Sequence, residues 1–486
     1  MPPPWVAFVP ATGAPMPETP FFDRFRNQLD GPDCHQRLQQ GLIGDGQVFD
    51  GPFGPRPLIY ADYVASGRAL RQVEKTVMDE VLPFYANSHT EGSHCGAFVT
   101  RLRREARAVI ARHCGADQRF ATIFAGAGAT AGLNRLVALL GLPQDVAAGH
   151  RPLVLIGPYE HHSNILPWRE SGAELREIPE DPATGGPCLS TLDSELRAAE
   201  GRPVIGAFSA ASNVSGILTD TVAVTRLLKR HGARAVWDYA GGAPYIAMSM
   251  DAGTDHEKDA IVFSPHKFIG GPGASGVLIL RKDAARRDTP VWPGGGTVTY
   301  VSEWGHDYSA SLETREEAGT PNVLGDIRAA LAVVVKEAMG QDWLDARHAA
   351  LRSRAVAAFD ALPGFQYAGK GTPAPALPFF SFWLEGRDRH AQITRALSDH
   401  FGIQTRSGCA CAGPYGHRLF AIGHKESDQI RRRIQAGDDT ARPGFTRFNL
   451  SALMTEEKAD LILDAIAQIA RDPARFLAPA PLARVG

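Results

Sequence analysis

The sequence predicts an α/β protein whose large domain is a mostly parallel, mixed sheet covered by helices, with a smaller α+β domain after it. Three short, wholly apolar runs support the sheet, at residues 153–156, 204–208 and 235–237, and helical segments separate them. Strands that are apolar throughout are typical of parallel sheets, because helices cover both faces of such a sheet. The pattern changes in the last third of the chain, which predicts the second domain.

Three regions are predicted along the 486 residues: an N-terminal arm over 1–57, a large domain over 58–335 and a small domain over 336–486. The first fifty residues carry many Pro and Gly and little periodicity, which favours an arm that wraps over the surface or over a partner subunit. A strand at 379–384, a segment at 403–406 and a closing helix at 456–470 predict the α+β character of the small domain.

Composition excludes several classes of partner. The chain is 44% hydrophobic and 21% charged with a formal net charge of −2, so it lacks the basic excess that nucleic acid or an anionic membrane requires. Six cysteines are too few for a disulfide scaffold in a chain of this length and fit a reducing compartment. With no basic N-terminal region before an apolar core and no run of about 20 apolar residues, we expect a cytoplasmic protein.

Polar residues follow four of the predicted strands. His161, Asn213, Asp238 and Lys267 each come just after an apolar run. Ligands of open α/β sheets bind outside the carboxyl ends of the strands, so these side chains are expected to face one crevice. Each also has a plainer interpretation, since Asn and Asp suit turns and a single His is more often structural.

Lys267 is the candidate nucleophile. It lies in a Ser-Pro-His-Lys turn that ends an apolar strand and leads into the glycine cluster of residues 270–273, where the backbone allows close approach of a ligand. A lysine whose pKa is lowered by burial and neighbours forms a Schiff base with an aldehyde cofactor. The alternative is a solvated loop lysine beside a glycine turn.

A glycine-rich segment at residues 126–134 passes from a strand into a helix. Its free backbone N–H groups and the hydroxyl of Thr130 would suit a phosphate. The segment lacks the Gly-Lys-Ser/Thr ending of a nucleotide-binding loop. Tight packing of strand and helix is therefore an equally good interpretation.

The order and spacing of these motifs, from about Tyr60 onward, resemble the class V aminotransferase-fold enzymes, and among them the cysteine desulfurases and selenocysteine lyases. The resemblance implies fold type I of the pyridoxal-phosphate-dependent transferases, with pyridoxal 5'-phosphate as cofactor. Lys267 would be its Schiff-base lysine, with Ser264 and His266 as phosphate contacts.

The same resemblance implies roles for the remaining cofactor residues. Asp238 matches the aspartate that pairs with the pyridine nitrogen, and His161 matches a histidine that stacks on the ring and assists proton transfer. Ala129 and Thr130 fall in the phosphate-binding loop. Asn213 matches a residue near the substrate carboxylate and the ring oxygen. Thr320 matches a threonine that reaches the phosphate in the neighbouring subunit, which implies a homodimer with shared active sites.

The segment from Arg406 to Pro414 resembles the signature Arg-x-Gly-x-x-Cys-Ala-x-Pro, in which the cysteine attacks the substrate sulfur. The register puts Cys411, not Cys409, at that position, where a thiolate would form a persulfide. Arg406 and Arg447 are placed to bind an α-carboxylate. Alternatives for the two cysteines are a buried structural pair or a redox-sensing pair. No metal site is expected, since Cys-x-Cys lacks further ligands nearby.

The first functional hypothesis is a cysteine desulfurase-like lyase, cleaving a C–S or C–Se bond to give alanine and an enzyme persulfide. Three departures from the family pattern leave the substrate open. Residues 238–241 read Asp-Tyr-Ala-Gly where many family members have a glutamine at the last position, the segment between Cys411 and Arg447 is longer than usual, and the pair Cys409 and Cys411 is unusual. The alternatives are an aminotransferase, epimerase or other amino-acid lyase in which Cys411 is not catalytic, and a non-catalytic sulfur-transfer scaffold. Expected partners are an amino-acid substrate and a sulfur-acceptor protein.

Overall fold

The structure is a computed structural model that describes residues 20–88, 90–199, 201–384 and 387–477. The strands are β1 (Val48–Gly51), β2 (Gly54–Pro57), β3 (Ile59–Tyr60), β4 (Phe120–Gly126), β5 (Leu153–Ile156), β6 (Glu174–Glu177), β7 (Val204–Ser209), β8 (Arg234–Asp238), β9 (Ala260–Phe263), β10 (Gly276–Arg281), β11 (Val298–Ser302), β12 (Gly305–Tyr308), β13 (Gln366–Tyr367), β14 (Phe379–Trp383), β15 (Ile403–Gln404), β16 (Arg406–Gly408) and β17 (Phe445–Asn449).

The α-helices are α1 (Phe21–Leu29), α2 (Cys34–Gln40), α3 (Arg71–Thr76), α4 (His94–His113), α5 (Gly128–Leu139), α6 (Leu142–Ala147), α7 (Leu166–Glu170), α8 (Leu189–Ala198), α9 (Thr221–Arg230), α10 (Leu312–Glu316), α11 (Val323–Met339), α12 (Gln341–Asp360), α13 (His390–Phe401), α14 (Gly413–Leu419), α15 (His424–Gln435), α16 (Glu456–Arg471) and α17 (Pro473–Phe476). In the described part of the chain, no helix combines the length and the apolar character needed to span a bilayer.

A seven-stranded mixed sheet forms the larger layer, in the order β4-β10-β9-β8-β7-β5-β6. The strands from β9 to β6 are parallel, and β10 runs antiparallel to both of its neighbours. The three apolar runs noted in the sequence form β5, β7 and β8, so the predicted mostly parallel sheet is confirmed. Strands β5 and β9 are buried along their whole length, because helices pack on both faces of the sheet.

Helices on the two faces bury separate apolar clusters. On one face, α1, α4 and α11 pack together, and α11 buries an almost continuous Ala-Val run. On the other face, α5 packs against β4, β9 and β10. The large sheet is therefore rigid, and the residues that follow its strands have fixed positions.

A second, antiparallel sheet of four strands has the order β13-β14-β17-β16. Helices α12, α13 and α16 cover it around an aromatic core that includes Phe359, Phe380 and Phe448. Strand β3, from the start of the chain, pairs in parallel with β15. The first described strands are thus tied to the C-terminal half.

The structure differs from the sequence expectation at two places. Residues 21–40 form helices α1 and α2 instead of irregular arm, and Phe21, Phe22, Phe25 and Leu29 of α1 are buried against the core. The sequence also predicts one long helical pattern that begins after Asn322 and ends near Arg354, whereas the structure has two helices, α11 and α12, which separate at Gly340, whose φ is +78°. The predicted boundary at residue 335 falls inside α11, and the division into domains stays a prediction; residues 1–19 of the predicted arm lie outside the described residues.

Candidate active site

A cavity of about 260 Å³ opens at the carboxyl ends of β7, β8 and β9. Every site residue named from the sequence lines it except Thr320, which is exposed and lies elsewhere on the surface. Those that line it are Ala129, Thr130, His161, Asn213, Asp238, Ser264, His266, Lys267, Arg406, Cys411 and Arg447. The structure therefore gathers residues that are up to 318 positions apart, from Ala129 to Arg447, because the strand ends converge there.

Lys267 and Asp238 lie on neighbouring strand ends. Asp238 is the last residue of β8, and Lys267 ends the short 3₁₀ turn Pro265–Lys267 that follows β9. Burial lowers the pKa of Lys267 to about 8, although the negative charge of Asp238 acts against this shift. Burial also raises the pKa of Asp238, against the effect of Lys267. The neutral, nucleophilic form of the amine is thus accessible at a lower pH than it is for a solvated lysine.

The N-terminal turn of α5 forms one end of the cavity. The N–H of Ala129 donates to Ser264 Oγ at 2.9 Å, and the hydroxyls of Thr130 and Ser163 lie 2.7 Å apart. Gly128 has a φ of +65°, and a Cβ there would lie 2.9 Å from Ser264 Oγ. Only glycine leaves this end open, and the helix N-terminus with its hydroxyls is suited to a phosphate.

His161 lies in the turn that follows the carboxyl end of β5, and its ring is neutral. Its Nδ1 accepts the N–H of Ser163 at 3.1 Å, and burial together with the nearby Lys267 lowers its pKa to about 3. The preceding Glu160 is buried and accepts hydrogen bonds from Ser209 N–H, Ser209 Oγ and Asn164 Nδ2 at 2.8, 2.6 and 2.6 Å. Burial raises the pKa of Glu160 to about 7. This network fixes the turn that carries His161.

Two arginines that line the cavity, Arg406 and Arg447, both pair with Asp62. Arg406 Nε donates to Asp62 Oδ2 at 2.9 Å, and Arg447 Nη2 donates to Asp62 Oδ1 at 3.0 Å. Arg447 is only 3% exposed, and its Nε has no hydrogen-bond partner among the described residues. A buried, unpaired donor beside a cavity is a place for an anion such as a carboxylate.

Cys411 and Cys409 face different cavities. Cys411 is exposed and lines the cavity of Lys267, whereas Cys409 lines a second cavity of about 360 Å³ with Phe420 and Ile434. Asn213 Nδ2 donates to the carbonyl of Ala410, between the two cysteines, at 2.8 Å. Only Cys411 is placed to reach a molecule held at Lys267.

Sequence reasoning missed two residues of this region, Asp62 and His162. The apolar start of residues 58–63 predicts a strand that would contain Asp62, whereas β3 spans only Ile59–Tyr60 and Asp62 follows it, so this carboxylate had no clear signal in the sequence. His162 directly follows His161, and no pattern in the sequence gives it a role of its own. Its backbone N–H donates to the carbonyl of Cys411 at 2.7 Å.

Gly241, the position at which the resemblance implies a glutamine in many relatives, lies close to the backbone of Ala211. A Cβ at Gly241 would lie 3.1 Å from the carbonyl oxygen of Ala211, so the position has little room for a longer side chain. No group of three His, Cys, Asp or Glu side chains is arranged to hold a metal ion within residues 20–88, 90–199, 201–384 and 387–477.

The residues present fit pyridoxal 5'-phosphate. The cavity has an anion cradle that a Cβ at Gly128 would fill, a buried lysine of lowered pKa, and a buried carboxylate one strand away. With the mixed sheet, these features define the class of protein: a fold type I transferase of the pyridoxal-phosphate-dependent kind.

The chain belongs to the class V aminotransferase family, whose family model matches residues 59–461. It is 31% identical over 369 residues to a cysteine desulfurase of Salmonella agona, an alignment that covers 74% of this chain and 85% of the relative. It is 28% identical over 439 residues to a probable cysteine desulfurase of Mycobacterium leprae, covering 89% of this chain and 65% of the relative. The chain therefore spans less than two thirds of that relative's length.

The fold is also similar to solved structures. A cysteine desulfurase from Thermococcus onnurineus superposes with a TM-score of 0.73 at 23% identity, covering 90% of this chain and 98% of that protein. The sulfonic acid form of a cysteine desulfurase from Escherichia coli gives a TM-score of 0.67 at 21% identity, over 93% and 98% of the two chains. The predicted family and fold type are confirmed.

Proposed function

We propose that the protein is a pyridoxal-phosphate-dependent lyase that converts cysteine to alanine and leaves a persulfide on Cys411. The observation that carries the proposal is that Cys411 lines the same cavity as Lys267, Asp238, Arg406 and Arg447. A lysine, a thiol and two carboxylate-binding cations around one cavity are what this reaction needs. The names of the relatives from Salmonella and Mycobacterium support the same activity.

Residues of the large sheet would hold the cofactor. Ser264, His266, Thr130 and the start of α5 are suited to its phosphate. Asp238 would bind the protonated ring nitrogen, and His161 would lie against the ring. When bound, pyridoxal 5'-phosphate supplies an electron sink that weakens the bonds to the substrate Cα.

The chain's own residues would then carry the substrate through the reaction. Arg447 and Arg406 would bind and orient the α-carboxylate, and the Lys267 amine would accept the Cα proton. The Cys411 thiolate would attack the substrate sulfur, forming an S–S bond as the Cβ–S bond breaks. The electron pair of the broken bond passes to the carbon side, where protons complete alanine.

We infer a homodimer with shared sites and a sulfur-acceptor partner. Thr320 is exposed, as a residue that contacts the neighbouring subunit's cofactor must be in one protomer. The β11–β12 hairpin exposes Tyr300, Val301 and Trp304, the last at 86%, and such an apolar tip favours a protein contact. A cytoplasmic location is supported by six free cysteines, Cys34, Cys95, Cys114, Cys188, Cys409 and Cys411.

The test is to assay alanine release and protein persulfide with cysteine as substrate, comparing Cys411→Ser with the matched variant Cys409→Ser. We expect Cys411→Ser to lose at least about a hundredfold in turnover and its persulfide, because the nucleophile is gone. Cys409→Ser should stay within about threefold of the parent, since Cys409 faces the other cavity. Undiminished turnover in Cys411→Ser would exclude the persulfide route and favour an aminotransferase, epimerase or other lyase. Absence of any cofactor absorbance after reconstitution would favour a non-catalytic scaffold.

A further inference from the structure

The loop that carries Cys411 has an unfavourable backbone. Ala410 and Cys411 have φ values of +48° and +56°, in the left-handed region that residues with a Cβ avoid. Each such residue costs about 1–2 kcal/mol, so two in succession need contacts that hold them. Cys411 is also exposed, and burial of its own side chain therefore contributes little to that conformation.

Hydrogen bonds from the large sheet hold this loop on both sides of the thiol. The backbone N–H of His162 donates to the Cys411 carbonyl at 2.7 Å. The His162 ring returns to the same loop, because its Nε2 accepts the N–H of Gly413 at 2.9 Å. Asn213 adds the bond to Ala410 described above. His162 thus contacts the loop before and after Ala412, and brackets the turn that presents the thiol.

The His162 ring forms a hydrogen bond with the loop and does not line the cavity. Its neighbours His161 and Ser163 line the cavity, while a Cβ on Gly413 would lie only 3.0 Å from His162 Nε2. Since Nε2 accepts a hydrogen bond, the ring must be neutral with its proton on Nδ1. Burial, with a smaller effect from Arg169, lowers the pKa of His162 and favours that neutral form.

We propose that His162 is a positioning residue for the thiol: it keeps the Cys411 loop in its left-handed conformation, with the sulfur in the cavity of Lys267. The consequence for chemistry rests on the proposed function, whereas the consequence for the loop does not. The turn 161–163 would then serve both partners of the reaction, with His161 on the cofactor side and His162 on the thiol side. Positioning errors of about 1 Å can cost about a hundredfold in rate.

The experiment compares His162→Ala, His162→Gln and the control His424→Ala in the reconstituted full-length protein. His424 is 94% exposed on α15 and contacts neither the cavity nor the loop at Cys411. Hydrogen exchange is measured on peptides that cover residues 406–418, together with kcat, KM, the cofactor absorbance and the melting temperature. In His162→Ala we expect the Gly413 amide to exchange at least about tenfold faster and kcat to fall about a hundredfold.

The expected pattern separates positioning from general stability. In His162→Ala, KM and the cofactor absorbance should change less than about threefold, because Arg447 and Lys267 are untouched. His162→Gln should recover part of both losses, since its side-chain oxygen can accept the Gly413 N–H. Gly413→Ala attacks the same contact from the loop side and should give the same pattern if His162→Ala does not fold.

Three results in His162→Ala would overturn the proposal. They are unchanged hydrogen exchange in the loop, faster exchange with unchanged kcat, and a rise in KM that accompanies losses of cofactor absorbance and melting temperature. Failure of the proposed function looks different, because Cys411→Ser would then retain turnover. The exchange comparison would still report on the His162 contacts in that case.

Discussion

Two ends of the cavity are held in place in different ways: the lysine end, which carries Lys267 and Asp238, and the thiol end, which carries Cys411. Asp238 ends β8 and Lys267 follows β9, two adjacent and largely buried strands, and neither residue needs an unusual backbone angle. Cys411 sits on an exposed loop with two left-handed residues, and side chains from another part of the chain hold it. The strands of the sheet hold the lysine end in place. The thiol end is held by a few hydrogen bonds from residues far away in the sequence.

The difference fits the tasks that we propose for the two ends. A cofactor stays in place and benefits from groups on rigid elements, whereas a persulfide must be handed on to an acceptor. A loop that depends on a few hydrogen bonds opens at a small fraction of the cost of unfolding the sheet. Experiments that perturb each end separately therefore test this comparison.

The largest expected effect is at Lys267, and the chain supplies a matched control in Lys336. Burial lowers the pKa of both lysines to about 8, but Lys336 donates to the carbonyls of Ala243 and Ile246 and does not line the 260 Å³ cavity. After cofactor addition and borohydride reduction, mass spectrometry should find the label on Lys267. Lys267→Ala should lose at least about a thousandfold in activity, because it removes the amine that we propose binds the cofactor and accepts the Cα proton.

Lys336→Met should keep the label and the activity within about threefold, since its side chain does not reach the cavity. We expect the position at a strand end, and not burial alone, to determine which lysine reacts. Label on Lys336, or label that persists in Lys267→Ala, would contradict this expectation.

The lysine end could be predicted from the sequence because each of its residues is marked by the residues directly before it. His161, Asn213, Asp238 and Lys267 each follow a short apolar run, and parallel strands bring such positions to one edge. The helix α5 with its glycines was also visible, although phosphate binding and tight packing could not be told apart. Gly128 opens the cavity, while Gly132, where a Cβ would lie 3.1 Å from Val262, serves packing.

The thiol end could be predicted only in part. A signature selected Cys411 over Cys409, but no local pattern shows that His162 brackets it or that Asp62 pairs with both arginines. The contacts of Asp62 follow the pairing of β3 with β15, and those of His162 join the turn after β5 to the loop of Cys411, so both connect segments far apart in sequence. Helix α1 was missed for a different reason: its Phe spacing was present in the sequence, but the Pro and Gly around it received more weight.

A second, smaller effect is expected on stability at Asp62, which ties β3 to the two arginines of the thiol end. Asp62→Asn leaves Arg447 buried without its carboxylate, and the free energy of unfolding should fall by about 3 kcal/mol. Urea unfolding measures this. The control is Glu456→Gln, whose side chain is 54% exposed and pairs with Arg347 and Arg354, so its loss should stay below about 1 kcal/mol. Equal losses would mean that buried charge does not hold the thiol end.

The smallest expected effect is the pH dependence of cofactor incorporation at the lysine end. Burial lowers the pKa of Lys267 from its ordinary value to about 8, so the amine is mostly protonated at pH 7 and mostly neutral at pH 9. Only the neutral amine attacks an aldehyde, and the rate of incorporation into apoprotein should therefore rise about tenfold over that interval. Stopped-flow absorbance gives the rate, and binding of pyridoxine 5'-phosphate, which lacks the aldehyde, corrects for other ionisations. A rate that keeps rising steeply beyond pH 9 would mean that Lys267 titrates as a solvated lysine. The lysine end would then be as exposed to solvent as the thiol end.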